Sequence, residues 1–195
     1  MIKYETISFL NGKLTLFKKN DQIVCISLAD DGVSEFLNDF PEYELEQQVL
    51  PETSLFRAYA AGEKIDFSRI KIGYLKSTAF QREVWQALNT CHELLTYEQF
   101  AKKINHPTAV RSVATAIGKN PIPIINACHH ILPKSGGVGK YRYGTDIKRK
   151  LLVLENLLEK WETVRQWDFM THFFCISVCK TWYNRLMTNT ENYFK

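Results

Sequence analysis

The pattern of apolar and polar positions over residues 2–28 is that of strands. Ile2 to Phe9 and Lys13 to Phe17 carry that pattern, and Asn11-Gly12 between them predicts a tight hairpin. Gln22 to Leu28 makes a third strand, with Ile23, Val24 and Ile26 as its strand formers. The period then lengthens. Asp31 to Phe40 and Glu52 to Ala61 read as helices, and Gly62 supplies a stop for the second. The acidic stretch from Glu42 to Glu52 reads as a solvated connection.

A boundary is placed near residues 70–79, where a second block begins. Thr78 is an N-cap for a helix from Phe80 to Leu88, with Phe80, Val84, Trp85 and Leu88 on one face. Thr96 to Ile104 is a short amphipathic helix that Asn105-His106-Pro107 breaks. Thr108 to Ile117 forms the next helix, closed by Gly118. Together they make a helix-turn-helix pattern. Its second helix has small side chains at Ala109, Ser112, Ala114, Thr115 and Ala116, and one long probe, Arg111. Close packing on a neighbouring helix accounts for small residues; so does a recognition helix whose backbone approaches a DNA groove. The pattern alone leaves both open.

From Asn120 to Ile131 the chain is apolar apart from Asn126, until it delivers Cys128-His129-His130. A Gly-rich loop then leads to Tyr141, and a helix from Asp146 to Leu158 carries Glu155. Thiolate is the nucleophilic form of cysteine, and an adjacent histidine lowers the thiol pKa. A Glu155-His129-Cys128 relay would fix the histidine tautomer and remove the thiol proton.

Composition sets the class. With 195 residues, 45% hydrophobic and 24% charged, the chain is an ordinary globular protein rather than a disordered one. No apolar run approaches the ~20 residues that cross a bilayer. The N-terminus lacks a signal pattern, so an intracellular protein is expected, in the cytoplasm of a bacterium or the nucleus of a eukaryote. Residues 80–160 hold twelve Lys/Arg against six Asp/Glu, while residues 1–79 hold nine against twelve. The basic excess therefore sits on the second block, where a polyanion partner belongs. The five cysteines form no CxxC pair and no zinc-finger spacing, so reduced thiols are expected. A buried small hydrophobe is the default role for each, and Cys128 departs from it through its neighbours.

From Phe80 to Glu155 the order of motifs resembles the O6-alkylguanine-DNA alkyltransferases, repair proteins that move an alkyl group onto their own cysteine. The resemblance rests on Phe80-Gln81-x-x-Val84-Trp85-x-x-Leu88, Thr96-Tyr97-x-Gln99-x-Ala101 and Ala109-Val110-Arg111-x-Val113. It continues through Asn120-Pro121-x-Pro123-Ile124, Cys128-His129 and Gly137-x-Gly139-x-Tyr141. It implies that Cys128 accepts the alkyl group and that His129 and Glu155 activate it, with Asn120 bracing the turn before it. Arg111 would fill the gap left by a flipped guanine, and Tyr97 would crowd the neighbouring phosphate. Thr108, Ala109 and Ser112 complete the expected DNA contacts. Tyr141, Ile131 and Tyr143 would shape the base pocket, and the Arg142 amide would donate to guanine O6.

The chain departs from the family pattern Pro-Cys-His-Arg-Val, having Ala127-Cys128-His129-His130-Ile131. Asn126 stands where an apolar residue is usual. Ala114-Thr115 replaces a frequent Gly-Gly, and Tyr143 replaces a glycine. These changes bear on rate and alkyl range rather than reaction class.

The expected architecture is α/β (α+β). A small mixed domain with a β-sheet spans 1–75, and a helical winged-helix-like domain spans 76–160. An aromatic-rich extension occupies 161–195, with Cys175 and Cys179 one helical turn apart. The expected function is single-turnover repair of O6-alkylguanine, with O4-alkylthymine as a further candidate substrate, in double-stranded DNA. A monomer is expected, with no cofactor, metal or membrane implied. Two rivals stay open: a lesion-binding protein that does not transfer, and a helix-turn-helix regulator.

Overall fold

Two turns at positive φ organise the N-terminal sheet. In the computed structural model, which describes residues 1–158, β1 (Ile2–Phe9) and β2 (Gly12–Lys19) pair antiparallel, with Phe9 opposite Gly12. The turn residues are Leu10 (φ 49) and Asn11 (φ 68), so Gly12 already belongs to the strand. Asn20 (φ 47) and Asp21 (φ 63) make the same kind of turn into β3 (Gln22–Ser27).

The acidic stretch is not simply a solvated connection. Within it, β4 (Leu45–Gln47) pairs parallel with β1 and gives the order β3-β2-β1-β4. Ile2 N donates to Glu44 O at 2.8 Å and Gln48 N to Tyr4 O at 2.9 Å. The strand is a short edge held by backbone bonds, with side chains largely in solvent, so no apolar pattern announces it.

Both faces of β2 are buried. On one face Phe17 stacks on Phe36 of α1 (Gly32–Asp39), with ring centroids 4.2 Å apart. Gly32 lets that helix sit down on the sheet, since a Cβ there would lie 2.6 Å from Thr15 Oγ1. On the other face Leu14 and Leu16 join Phe56 and Tyr59 of α2 (Thr53–Ala60), together with Ile122, Ile124, Ile125 and Leu151 from the second block. Residues 1–156 accordingly form one compact unit.

The second block starts at α3 (Ala79–Asn89), capped reciprocally by Thr78 and Gln81. A two-residue strand β5 (Leu95–Thr96) runs into α4 (Tyr97–Lys103), which Thr96 and Gln99 cap in the same way. After α5 (Val110–Gly118), β6 (Ile131–Leu132) returns to pair parallel with β5. Trp85 Nε1 donates to Ala116 O at 2.7 Å and ties α3 to α5. The last described helix, α6, covers Thr145–Leu154; it does not reach Leu158, because Asn156 turns to φ 55. Glu155 is therefore its C-cap. No helix among the described residues is long and apolar enough to cross a membrane. The extension from 161 to 195, with Cys175 and Cys179, lies outside the described residues.

Candidate active site

The segment between α5 and Cys128 has almost no regular structure and almost no exposure. Its backbone is held by one buried amide. Asn120 Oδ1 accepts from Ile122 N at 3.1 Å and from Asn126 Nδ2 at 3.0 Å, while Asn120 Nδ2 donates to Asn126 O at 3.0 Å. Asn126 N closes the turn onto Ile122 O at 3.0 Å. Within this turn Ile124 is held at φ 75, a left-handed conformation that a β-branched residue adopts only when its surroundings impose it. The turn ends in a 3-10 turn, Cys128–His130, with all three side chains buried.

His129 has no exposed surface. Its Nε2 meets Glu155 Oε1 at 2.9 Å, and its Nδ1 has no partner. Burial pulls its pKa down, and the charge of neighbouring His130 adds to that. The ring is thus a neutral imidazole donating from Nε2 to the carboxylate, with a bare lone pair on Nδ1. That is the state of a general base. Burial opposes the charge on Glu155, but hydrogen bonds from His129 and His130 outweigh it and hold the carboxyl well below the usual carboxylate range. Tyr59 adds a third donor, its hydroxyl 2.6 Å from Glu155 Oε1.

The Cys128 thiol does not follow expectation. Burial pushes its pKa up, and the contacts to Asn120 and Tyr141 only offset part of that. Its contact to Tyr141 is loose, with Sγ 3.7 Å from the hydroxyl. A neutral histidine cannot stabilise a thiolate by charge, so the resting thiol keeps its proton.

Cys128 opens onto a cavity of about 370 Å³, in the size range of small-molecule sites. Tyr97, Asn120, Tyr141, Tyr143 and Lys148 share its walls. The Arg142 side chain turns away to α1, where its guanidinium reaches Glu35 Oε1 at 2.9 and 3.2 Å and Asp39 Oδ2 at 3.3 Å. The Tyr143 hydroxyl is 3.3 Å from Ile26 O, so the N-terminal sheet anchors this wall. Ile131 is not on the wall: it is fully buried behind it, paired with Leu95. Thr108, Arg111 and Ser112 stand exposed, and Ala109 is the N-cap residue of α5. The same helix gives Ala114 and Ile117 to the cavity. The ligand-type atoms of His129, His130 and Glu155 lie within 4.8 Å of one another. Both histidines spend their Nε2 on the Glu155 carboxylate, so the trio reads as a proton relay.

Residues 79–157 match the family model described as the DNA-binding domain of 6-O-methylguanine DNA methyltransferase. A methylated-DNA–protein-cysteine methyltransferase of Mycolicibacterium paratuberculosis is 33% identical over 157 residues, covering 80% of this chain and 93% of the relative. The chain belongs to that family. A methyltransferase of the same name from Haemophilus influenzae is 44% identical over 104 residues, which are 52% of this chain and 58% of the relative, so the chain spans little more than half of that protein's length. Among solved structures, the Mycobacterium tuberculosis OGT in complex with DNA is similar at a TM-score of 0.67 and 30% identity, covering 79% of this chain and 93% of that one.

Some members of the site were missed in the sequence. Lys148 is 1% exposed, lines the cavity and donates to Ile131 O at 2.7 Å. Burial lowers its pKa to about 8. The signal was available, since Lys148 precedes Leu151 and Leu152 by three and four positions and so shares the apolar face of α6. Tyr59 gave no signal, as its contact to Glu155 spans 96 residues.

Proposed function

We propose that this chain repairs O6-alkylguanine in duplex DNA by transferring the alkyl group to its own Cys128, once per molecule. In that step the thiol sulfur forms a bond to the alkyl carbon as the carbon–O6 bond breaks. The bonding electrons stay on guanine, which is restored once it takes up a proton. The thiol proton passes to the His129 side, where Glu155 stabilises the imidazolium that forms. The observation that carries this reading is Cys128 on a cavity of about 370 Å³, followed directly by a buried His129 whose Nε2 meets Glu155 and whose Nδ1 has no partner. Catalysis of this kind needs the target base outside the stack. The exposed face of α5, with Arg111 and Ser112, and Thr108 just before the helix make the surface we assign to the groove, and Arg111 takes the place of the extruded base. Tyr97 stands at the mouth, and the Arg142 amide on the loop that would meet guanine O6. The protein would act inside the cell as a monomer, and O4-alkylthymine is a second substrate to try.

The test is incubation with duplex DNA labelled on the O6-methyl group. Label moving to the protein is the expected result. Tight binding without transfer would make the chain a lesion sensor instead.

A further inference from the structure

Glu155 serves two histidines, and only one of them is accounted for by the relay. His130 lies against His129, ring centroids 4.4 Å apart and nearly perpendicular at 71°. Its Nε2 is hydrogen-bonded to Glu155 Oε2, and its Nδ1 is 2.9 Å from Cys91 O. Resting on the reading of Cys128 as acceptor, we propose that His130 is a positioning residue of the relay: a fixed imidazolium that pins the Glu155 carboxylate so that His129 keeps its Nδ1 bare.

The hydrogen-bond count carries this. A neutral imidazole has one N–H, yet both nitrogens of His130 face acceptors. The Cys91 carbonyl can only accept. Glu155 already accepts from Tyr59 and His129, as a carboxylate does. With Glu155 held as a carboxylate by the bonds from the two histidines, both His130 nitrogens donate. Of the groups around it, the Glu155 carboxylate and the Cys91 carbonyl favour a charged ring, and Lys148 is the opposing cation. Glu155 comes from the end of α6, with Lys148 earlier on the same helix; Tyr59 reaches Glu155 from α2; Cys91 follows α3; His129 precedes it in the 3-10 turn. Burial works against charging His130, but the bonds to Cys91 and Glu155 outweigh it and raise its pKa to about 9. The pair thus divides labour, His130 as the cation at neutral pH and His129 as base. An arginine, the residue of the family pattern at this position, would supply the same charge without a proton that can leave.

Three arms test the proposal on the full chain. Ring nitrogen-15 spectra of the wild type at neutral pH should show both nitrogens of His130 protonated and only Nε2 of His129; a bare nitrogen on His130 overturns the proposal whatever the protein's activity. His130→Arg should transfer within a few-fold of wild type near pH 7, while His130→Gln, checked for folding by circular dichroism, should lose roughly tenfold or more. Equal losses in both, or none in His130→Gln, would contradict a charged positioning role. The ratio of wild-type to His130→Arg rate should fall as pH rises through about 9, where the imidazolium loses its proton; a flat ratio rejects it. Should His130→Gln not fold, the spectra and that ratio decide. Failure of the wild type to transfer at all would remove the functional reading, and the spectra alone would then judge His130.

Discussion

The core of the N-terminal sheet and the segment from Asn120 to His130 are both buried and are held in opposite ways. In the sheet the backbone pairs with itself, strand to strand, and side chains such as Phe17, Leu14 and Leu16 contribute only packing. In the segment from Asn120 to His130 the backbone has little ladder to join, so side chains do the pairing: Asn120 for the turn, Asn126 beside it, and Glu155 for the two histidines. Buried polar groups left unmatched are costly, and this network leaves two, Asn126 Oδ1 and His129 Nδ1. The comparison teaches where a change will register. Damage to the sheet should show as lost stability, and damage to the segment as lost stability and lost chemistry together.

The largest effect on folding is expected from Phe17→Ala. Removing a fully buried ring stacked on Phe36 should cost about 3–5 kcal/mol, measured by denaturant unfolding. The fraction that remains folded should transfer at the wild-type rate. Slower transfer per folded molecule would show that the sheet shapes the site directly.

A smaller loss with a sharper consequence is expected from Asn120→Ala. It strands Ile122 N and the Asn126 amide and frees the turn that holds Ile124 at positive φ, at a cost of ~2–3 kcal/mol. Unlike Phe17→Ala, it should also slow transfer by the folded fraction, because Cys128 is delivered by that turn. Unchanged transfer per folded molecule would mean that the turn is a scaffold like any other.

Much of the sheet and of the helices could be read in advance, for a physical reason. Strand alternation and the Thr-x-x-Gln capping boxes are local, and each element is decided mostly by its own residues. What was misread depends on partners far along the chain. The strand β4 consists of backbone pairing to β1 and leaves no pattern in its own side chains. Glu155 was placed inside a helix, whereas it caps one, and that position lets it turn toward His129. The thiol was expected to be acidic because a histidine follows it. Adjacency in sequence does not tell whether that histidine is charged, and here burial keeps it neutral and leaves the thiol high.

Arg111→Ala should have the smallest effect on stability, within about 0.5 kcal/mol, as its side chain is exposed. It should slow transfer from duplex DNA far more than transfer from free O6-benzylguanine, because only the duplex requires something to replace the extruded base. Equal losses on both substrates would place Arg111 in folding or in the thiol's surroundings.

The central claim is that Cys128 alone receives the alkyl group. Of the described cysteines, Cys25 is held by burial at a pKa of about 12 and Cys91 is sealed in the helical core. Only Cys128 lines the cavity. The most direct measurement is peptide mass spectrometry after reaction with duplex DNA containing O6-methylguanine. One methyl group per protein molecule, on the peptide carrying Cys128 and absent from Cys128→Ser, is the predicted result; methyl on Cys25 or Cys91, or persisting in Cys128→Ser, would contradict it.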